Sequence, residues 1–183
     1  MKIRILLIIT SVLIISITAN AQDLSFEEYN PKSTLVVPGN IVKKAKFPFI
    51  DVHGHQYRMA TQDLKPVITA MDTLNLQVMV NLSGRTGADL VKAQENANTN
   101  YPGRFVLFCN INFEGAGASG WIERTVEQLE ADVKAGAVGL KVYKSLGLRN
   151  NDSDGKRLAI DDPRLDTIWD TCGELGIPVL IHS

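Results

Sequence analysis

Five short apolar runs recur along this chain, each followed by a small or polar loop and then a longer amphipathic stretch. The runs cover residues 47–52, 76–82, 105–111, 137–143 and 177–181, and helix-like stretches cover 62–74, 88–98, 122–135 and 165–175. The third stretch is the clearest. Ile122, Val126, Leu129 and Val133 recur at three- and four-residue steps among Glu123, Arg124, Glu127, Glu130 and Asp132, which is one apolar stripe on a helix with charged faces beside it. Gly136 is expected to stop this helix, and Gly173 and Gly176 the fourth. Strands alternating with helices give βαβ units and a parallel sheet. The fold class is therefore α/β.

The 183 residues carry 19 Lys+Arg against 20 Asp+Glu, a formal net charge of −1. That balance, with no low-complexity tract, excludes a disordered tail and a basic nucleic-acid binder. Residues 1–21 are different in kind: Lys2 and Arg4, then an apolar stretch from Ile5 to Ile17, then Ala19-Asn20-Ala21. A basic start, a short apolar core and a small-x-small site predict a secretory signal peptide and an exported protein, periplasmic or secreted. The apolar stretch falls short of the ~20 residues that span a bilayer, so no membrane association is expected after cleavage. The remainder divides into a polar lead-in, 22–46, and the region of alternating apolar runs and amphipathic stretches, 47–183. Cys109 and Cys172 lie in apolar surroundings, where buried thiols fit at least as well as a bridge.

Two α/β architectures compete for the second region. Five strands suit a flavodoxin-like sheet of order 2-1-3-4-5, whereas a (β/α)8 barrel needs ~250 residues. The histidines separate them. Of three in the chain, two lie in Asp51-Val52-His53-Gly54-His55 at the end of the first run, and His182 ends the fifth. Alternation along a strand puts Asp51, His53 and His55 on one face. Gly54 between the histidines is expected to let the backbone turn and to leave room above an ion. In the doubly wound order the first and fifth strands stand three spacings apart, roughly 14 Å. In a closed barrel they face each other across a narrow lumen. A metal shared by His53, His55 and His182 thus favours the barrel.

Asp51-x-His53-x-His55 on the first strand, a lysine on the fourth and His182 on the fifth resemble the amidohydrolase superfamily. The resemblance is closest to the amidohydrolase-related branch, which also holds metal-dependent decarboxylases and lactonases. It runs from about Phe47 to Ser183. It implies a TIM barrel of the metal-dependent hydrolase type, here truncated after strand 5, with one or two divalent metals, zinc being expected. It also implies a general-base aspartate, which falls beyond Ser183, so no catalytic residue is assigned within this chain.

On the fourth run, Leu140 and Val142 should face the helices, which turns Lys141 and Tyr143 inward. By the same resemblance Lys141 is a metal ligand, carboxylated and bridging in some members and a structural or substrate contact in others; Lys144 is second choice. Arg58 could hold a substrate carboxylate bidentately, with Asn81 and Asn110 as weaker contacts of that kind. Asp51 suits support of a histidine better than catalysis. Asn150-x-Asp152-x-Asp154-Gly155 imitates a calcium loop but lacks the closing Glu, and is read as a solvated turn. The loop 115–120 lacks a Gly-Lys-Ser/Thr and reads as a flexible connection. No nucleophile elbow or Cys–His pair is present.

The expected function is hydrolysis of an amide, lactone or related small-molecule carbonyl substrate, with water activated on a divalent metal. The rivals are a metal-dependent decarboxylase and a non-catalytic fragment or binding module; a homo-oligomer is compatible with each. Because a half-barrel has open edges, the 183-residue chain alone is expected to be inactive and poorly soluble.

Overall fold

A computed structural model describes residues 25–36, 39 and 41–182; the segment 1–21, read from sequence as a signal peptide, lies outside them. The chain divides into two units, Met1–Ile41 and Val42–Ser183. In the first, the described residues form neither helix nor strand, and Ser25 Oγ accepts the Glu28 N–H across a single turn.

The second unit holds six strands: β1 (Phe49–Gly54), β2 (Leu76–Asn81), β3 (Phe105–Leu107), β4 (Cys109–Asn110), β5 (Leu140–Val142) and β6 (Val179–Ile181). Its longer helices are α1 (Lys65–Leu74), α2 (Gly87–Asn100), α3 (Trp121–Lys134) and α4 (Asp166–Glu174). The third apolar run yields two strands because the ladder changes partner at Phe108. Its N–H donates to Asn81 O and its carbonyl accepts from Gly84, while Leu107 O accepts the Val138 N–H and Cys109 N–H donates to Gly139 O. Close approach makes this possible: a Cβ on Gly139 would lie 2.5 Å from the Phe108 ring.

All strand pairs are parallel, in the order β1-β2-β3 and β4-β5-β6. That order excludes the 2-1-3-4-5 sheet. With right-handed crossovers, strands added always on the same side place every helix on one face of the sheet, as in a (β/α) barrel. The helices pack accordingly, α2 on α3 and α3 on α4. The core lies between them and the sheet: Leu90, Ala93 and Ala97 of α2, Leu129 of α3 and Ile168 of α4 cluster with Leu107, Leu140 and Val142. Lys141, between the last two, faces the other way, as alternation requires. Phe49, Ile50 and Val52 of β1 are exposed.

Three local expectations are corrected. The first helix begins at Lys65 rather than residue 62, because Asp63 turns its carboxylate onto the Lys65 N–H and Pro66 follows in the first turn. Gly173 lies within α4; the helix ends after it, and Gly176 takes the left-handed φ of 66°. The Cβ that Gly54 lacks would meet Met79 Cγ at 2.7 Å, so this glycine lets β1 pack on β2 rather than clearing space above an ion. Both cysteines are buried and free. Burial pushes the Cys109 thiol up to about 12 and Cys172 to about 11.

The calcium-like loop is committed elsewhere. Asp152 Oδ1 accepts the N–H groups of Asp154 and Lys156, and its Oδ2 pairs with Arg164 Nη2 at 3.0 Å. The same guanidinium grips Asp162 at 2.7 Å. Hydrogen bonds from Arg164 hold the Asp162 carboxyl down at about 2, against 3.8 for a free carboxyl. A depressed carboxyl stabilises the fold above its unfolded value, and that contribution disappears as pH falls from about 4 through about 2. Arg164→Leu should therefore lose stability at pH 5 and show a shallower further loss between pH 4 and 2, read as melting temperature against pH. An unchanged acid slope would show that the pair contributes nothing.

Candidate active site

The C-terminal ends of β1, β5 and β6 carry the predicted chemistry. Strand β1 does not run regularly to its end. Asp51 is opposite Met79 and Gly54 opposite Asn81, so three steps on β1 match two on β2. This bulge re-aims the side chains it carries. Within it the His53 N–H donates to Asp51 Oδ1 at 2.9 Å. Asp51 thus supports a histidine, as expected, but through the backbone rather than the ring. His53 and His55 end with ring centroids 5.2 Å apart and edge to face.

His55 is the better held of the two. Its Nδ1 lies 2.8 Å from Ser83 Oγ, Ser83 Oγ lies 2.8 Å from the Tyr143 hydroxyl, and Tyr143 donates to Leu82 O at 3.1 Å. Tyr57 stacks on the ring at 5.5 Å and 6°. With Nδ1 engaged, Nε2 is the nitrogen left for a ligand. Partial burial, then the positive charges of His53, Lys141 and His182, lower the His55 pKa, with Asp51 opposing. His55 is therefore biased toward the neutral imidazole that metals bind.

Lys141 is 1% exposed, and its Nζ has no hydrogen-bond partner. Burial lowers its pKa, since a cation there has lost water and gained nothing in return. Lys144, the second choice, is exposed. His182 follows β6, with its N–H on Val142 O at 3.0 Å. Its charge is felt at His55. Even so, among the described residues no three His, Cys, Asp or Glu side chains are gathered closely enough to hold an ion. The structure brings His53, His55 and Lys141 into one neighbourhood and leaves His182, exposed, at its margin.

Arg58 lines a cavity of about 300 Å³ with Tyr57, Ser83 and Arg85. Arg85 adopts a left-handed φ of 68°, uncommon for a residue with a Cβ, and its guanidinium lies over the Tyr57 ring at 5.5 Å. The amides of the two asparagines are engaged by backbone groups. Asn81 is fully buried, its Oδ1 accepting from the N–H groups of Gln56 and Ser83. Asn110 accepts from Arg85 N–H and donates to the carbonyls of Leu82 and Lys141. Both clamp strand ends together. Ser83 and Arg85 were missed in the sequence; the only signal was their place just after the second apolar run.

The family model for the amidohydrolases matches residues 50–183, covering both ends of this site. The chain belongs to the amidohydrolase family. A crystal structure of a probable 2-pyrone-4,6-dicarboxylic acid hydrolase from Acinetobacter baumannii, with citric acid bound, is similar at 18% identity and a TM-score of 0.47. The similarity covers 73% of this chain and 49% of that one, so this amidohydrolase spans about half the length of the solved structure it matches. No curated protein matches it.

Proposed function

We propose that this amidohydrolase is a metal-dependent hydrolase of small carbonyl compounds, amides or lactones, and that it is exported by the leader at 1–21. The observation that carries the reading is Lys141: a buried amine with no partner, beside a paired set of histidines. An unpaired buried polar group is costly and is retained where something else completes it. By their chemistry the imidazoles of His53, His55 and His182 and the amine of Lys141 are donors that a divalent metal such as zinc takes, although the described side chains are not gathered around one point. Lys141 can serve as a neutral amine or, once carboxylated, through oxygen.

With a metal bound there, the site would gain a Lewis acid able to polarise a carbonyl and lower the pKa of water toward ~7. The chain's own residues set the stage for that chemistry. The bulge and Asp51 aim His53; Ser83 and Tyr57 fix the plane of His55; Leu140 and Val142, packed among the helices, hold Lys141 inward. Asp51 is already used on the His53 N–H, so it is not assigned the proton shuttle. A decarboxylase using the same donors is the alternative, separable by its product: carbon dioxide release rather than incorporation of water oxygen.

The direct test is metal content. The purified protein should take up about one equivalent of zinc or more, and the His53→Ala/His55→Ala double variant should lose it, both by elemental analysis. Equal zinc in both would remove the site from these strands. Arg58, with Arg85 beside it, is proposed to hold a substrate carboxylate. Arg58→Met should raise KM about tenfold or more for an anionic substrate, as expected when a charged hydrogen bond of ~1.5–3 kcal/mol is lost, and leave that of its neutral amide unchanged. An equal change for both would assign Arg58 to the fold.

A further inference from the structure

The protons of the chain Leu82–Tyr143–Ser83–His55 can be followed one by one. A carbonyl oxygen only accepts, so the single hydroxyl hydrogen of Tyr143 goes to Leu82 O at 3.1 Å. The 2.8 Å contact between Tyr143 and Ser83 then needs the Ser83 hydroxyl hydrogen, which points to the phenol oxygen. Ser83 Oγ has no hydrogen left for the imidazole. The 2.8 Å contact at His55 Nδ1 is therefore donated by the ring. We infer that Tyr143 and Ser83 form a directional hydrogen-bond relay that fixes His55 as the Nδ1–H tautomer and leaves the Nε2 lone pair free for a ligand.

The relay is built to hold one direction. Ser83 is 1% exposed, and its own N–H is tied to Asn81 Oδ1 at 3.0 Å. The second lone pair of Leu82 O is taken by Asn110 Nδ2 at 3.1 Å, which also fixes the carbonyl that anchors the chain. Either ring nitrogen of a neutral histidine can carry the hydrogen, so its partners in the protein must select this tautomer. Ser83 and Tyr143 are accordingly positioning residues, acting on His55 rather than on a substrate. The value of the relay to function rests on the metal-centre reading above; the tautomer itself does not.

The experiment is nitrogen-15 NMR of histidine-labelled, metal-free protein above the imidazole titration range, with zinc affinity measured on the same samples. Three histidines make assignment by single substitution direct. The expected result is Nδ1–H at His55 in the native protein. Ser83→Ala and Tyr143→Phe should each shift it toward Nε2–H and weaken zinc binding ~10- to 100-fold, the usual effect of losing such a partner. Ser83→Thr, which keeps the hydroxyl, should preserve both. Nε2–H in the native protein, or an unchanged tautomer in both variants, would overturn the relay. A native Nδ1–H that shifts as expected, in a protein that takes up no zinc, would leave the relay standing and remove the metal centre.

Discussion

Lys141→Met is expected to raise the melting temperature of the metal-free protein while weakening its hold on zinc. Methionine matches the length and volume of the lysine stem, so the surrounding packing is kept. What disappears is an amine with no partner in a site that is 1% exposed. A buried donor left unmade costs about 1–3 kcal/mol, and each kcal/mol is worth about 2–4 °C in a domain of this size. The pH dependence should change as well. The folded pKa of Lys141 is depressed, so the folded state binds fewer protons than the unfolded chain. Native stability should then rise with pH toward 10.5, the unfolded value. The methionine variant should lack that rise. Zinc affinity should fall ~10- to 100-fold or more. A lower melting temperature together with unchanged zinc affinity would make Lys141 an ordinary structural residue.

Asp132→Ala should be the most destabilising substitution away from the site, by about 3 kcal/mol, or roughly 6–12 °C. Asp132 is 2% exposed on α3. Its carboxylate accepts the Thr86 hydroxyl at 2.5 Å, the Gly87 N–H at 2.7 Å and Gln128 Nε2 at 2.9 Å. Thr86 is the N-cap of α2 but makes no side-chain cap of its own. The cap is supplied by another helix, where an anion also meets the positive end of the α2 dipole. Alanine would strand several donors at once, whereas Asp132→Asn keeps one acceptor and should lose roughly half as much. Thermal melts of the three proteins decide it. Equal stability of Asp132→Ala and the native protein would mean that water replaces the carboxylate without cost.

Periodicity lists Asp132 among the charged residues beside the apolar stripe without showing that it is buried, and the reason is general. A 3.6-residue pattern marks one apolar stripe, but it cannot show that a neighbouring helix N-terminus will settle over a carboxylate on the rim of that stripe. The same limit explains Asn81 and Asn110. Polar residues at strand ends look like ligand contacts from sequence, yet their amides are consumed by backbone groups of adjacent strands. Gly54 misled in a related way, because its small size matters toward Met79, on a strand the local sequence does not contain.

The amino-acid sequence by itself determined the parallel α/β class, the order of the strands to within a few residues of their ends, and the face of the strand on which Lys141 lies. These follow from periods of two and 3.6 residues, which any short window contains. It also marked His53, His55 and His182 as the residues of interest, through their place at strand ends. Only the tertiary structure decided how they are held. The β1 bulge exists because β2 pairs with it out of step, and the His55–Ser83 and Ser83–Tyr143 bonds join residues 28 and 60 positions apart. Hydrogen bonds of that span depend on where separate strands end in space, and no local pattern of side chains encodes that distance.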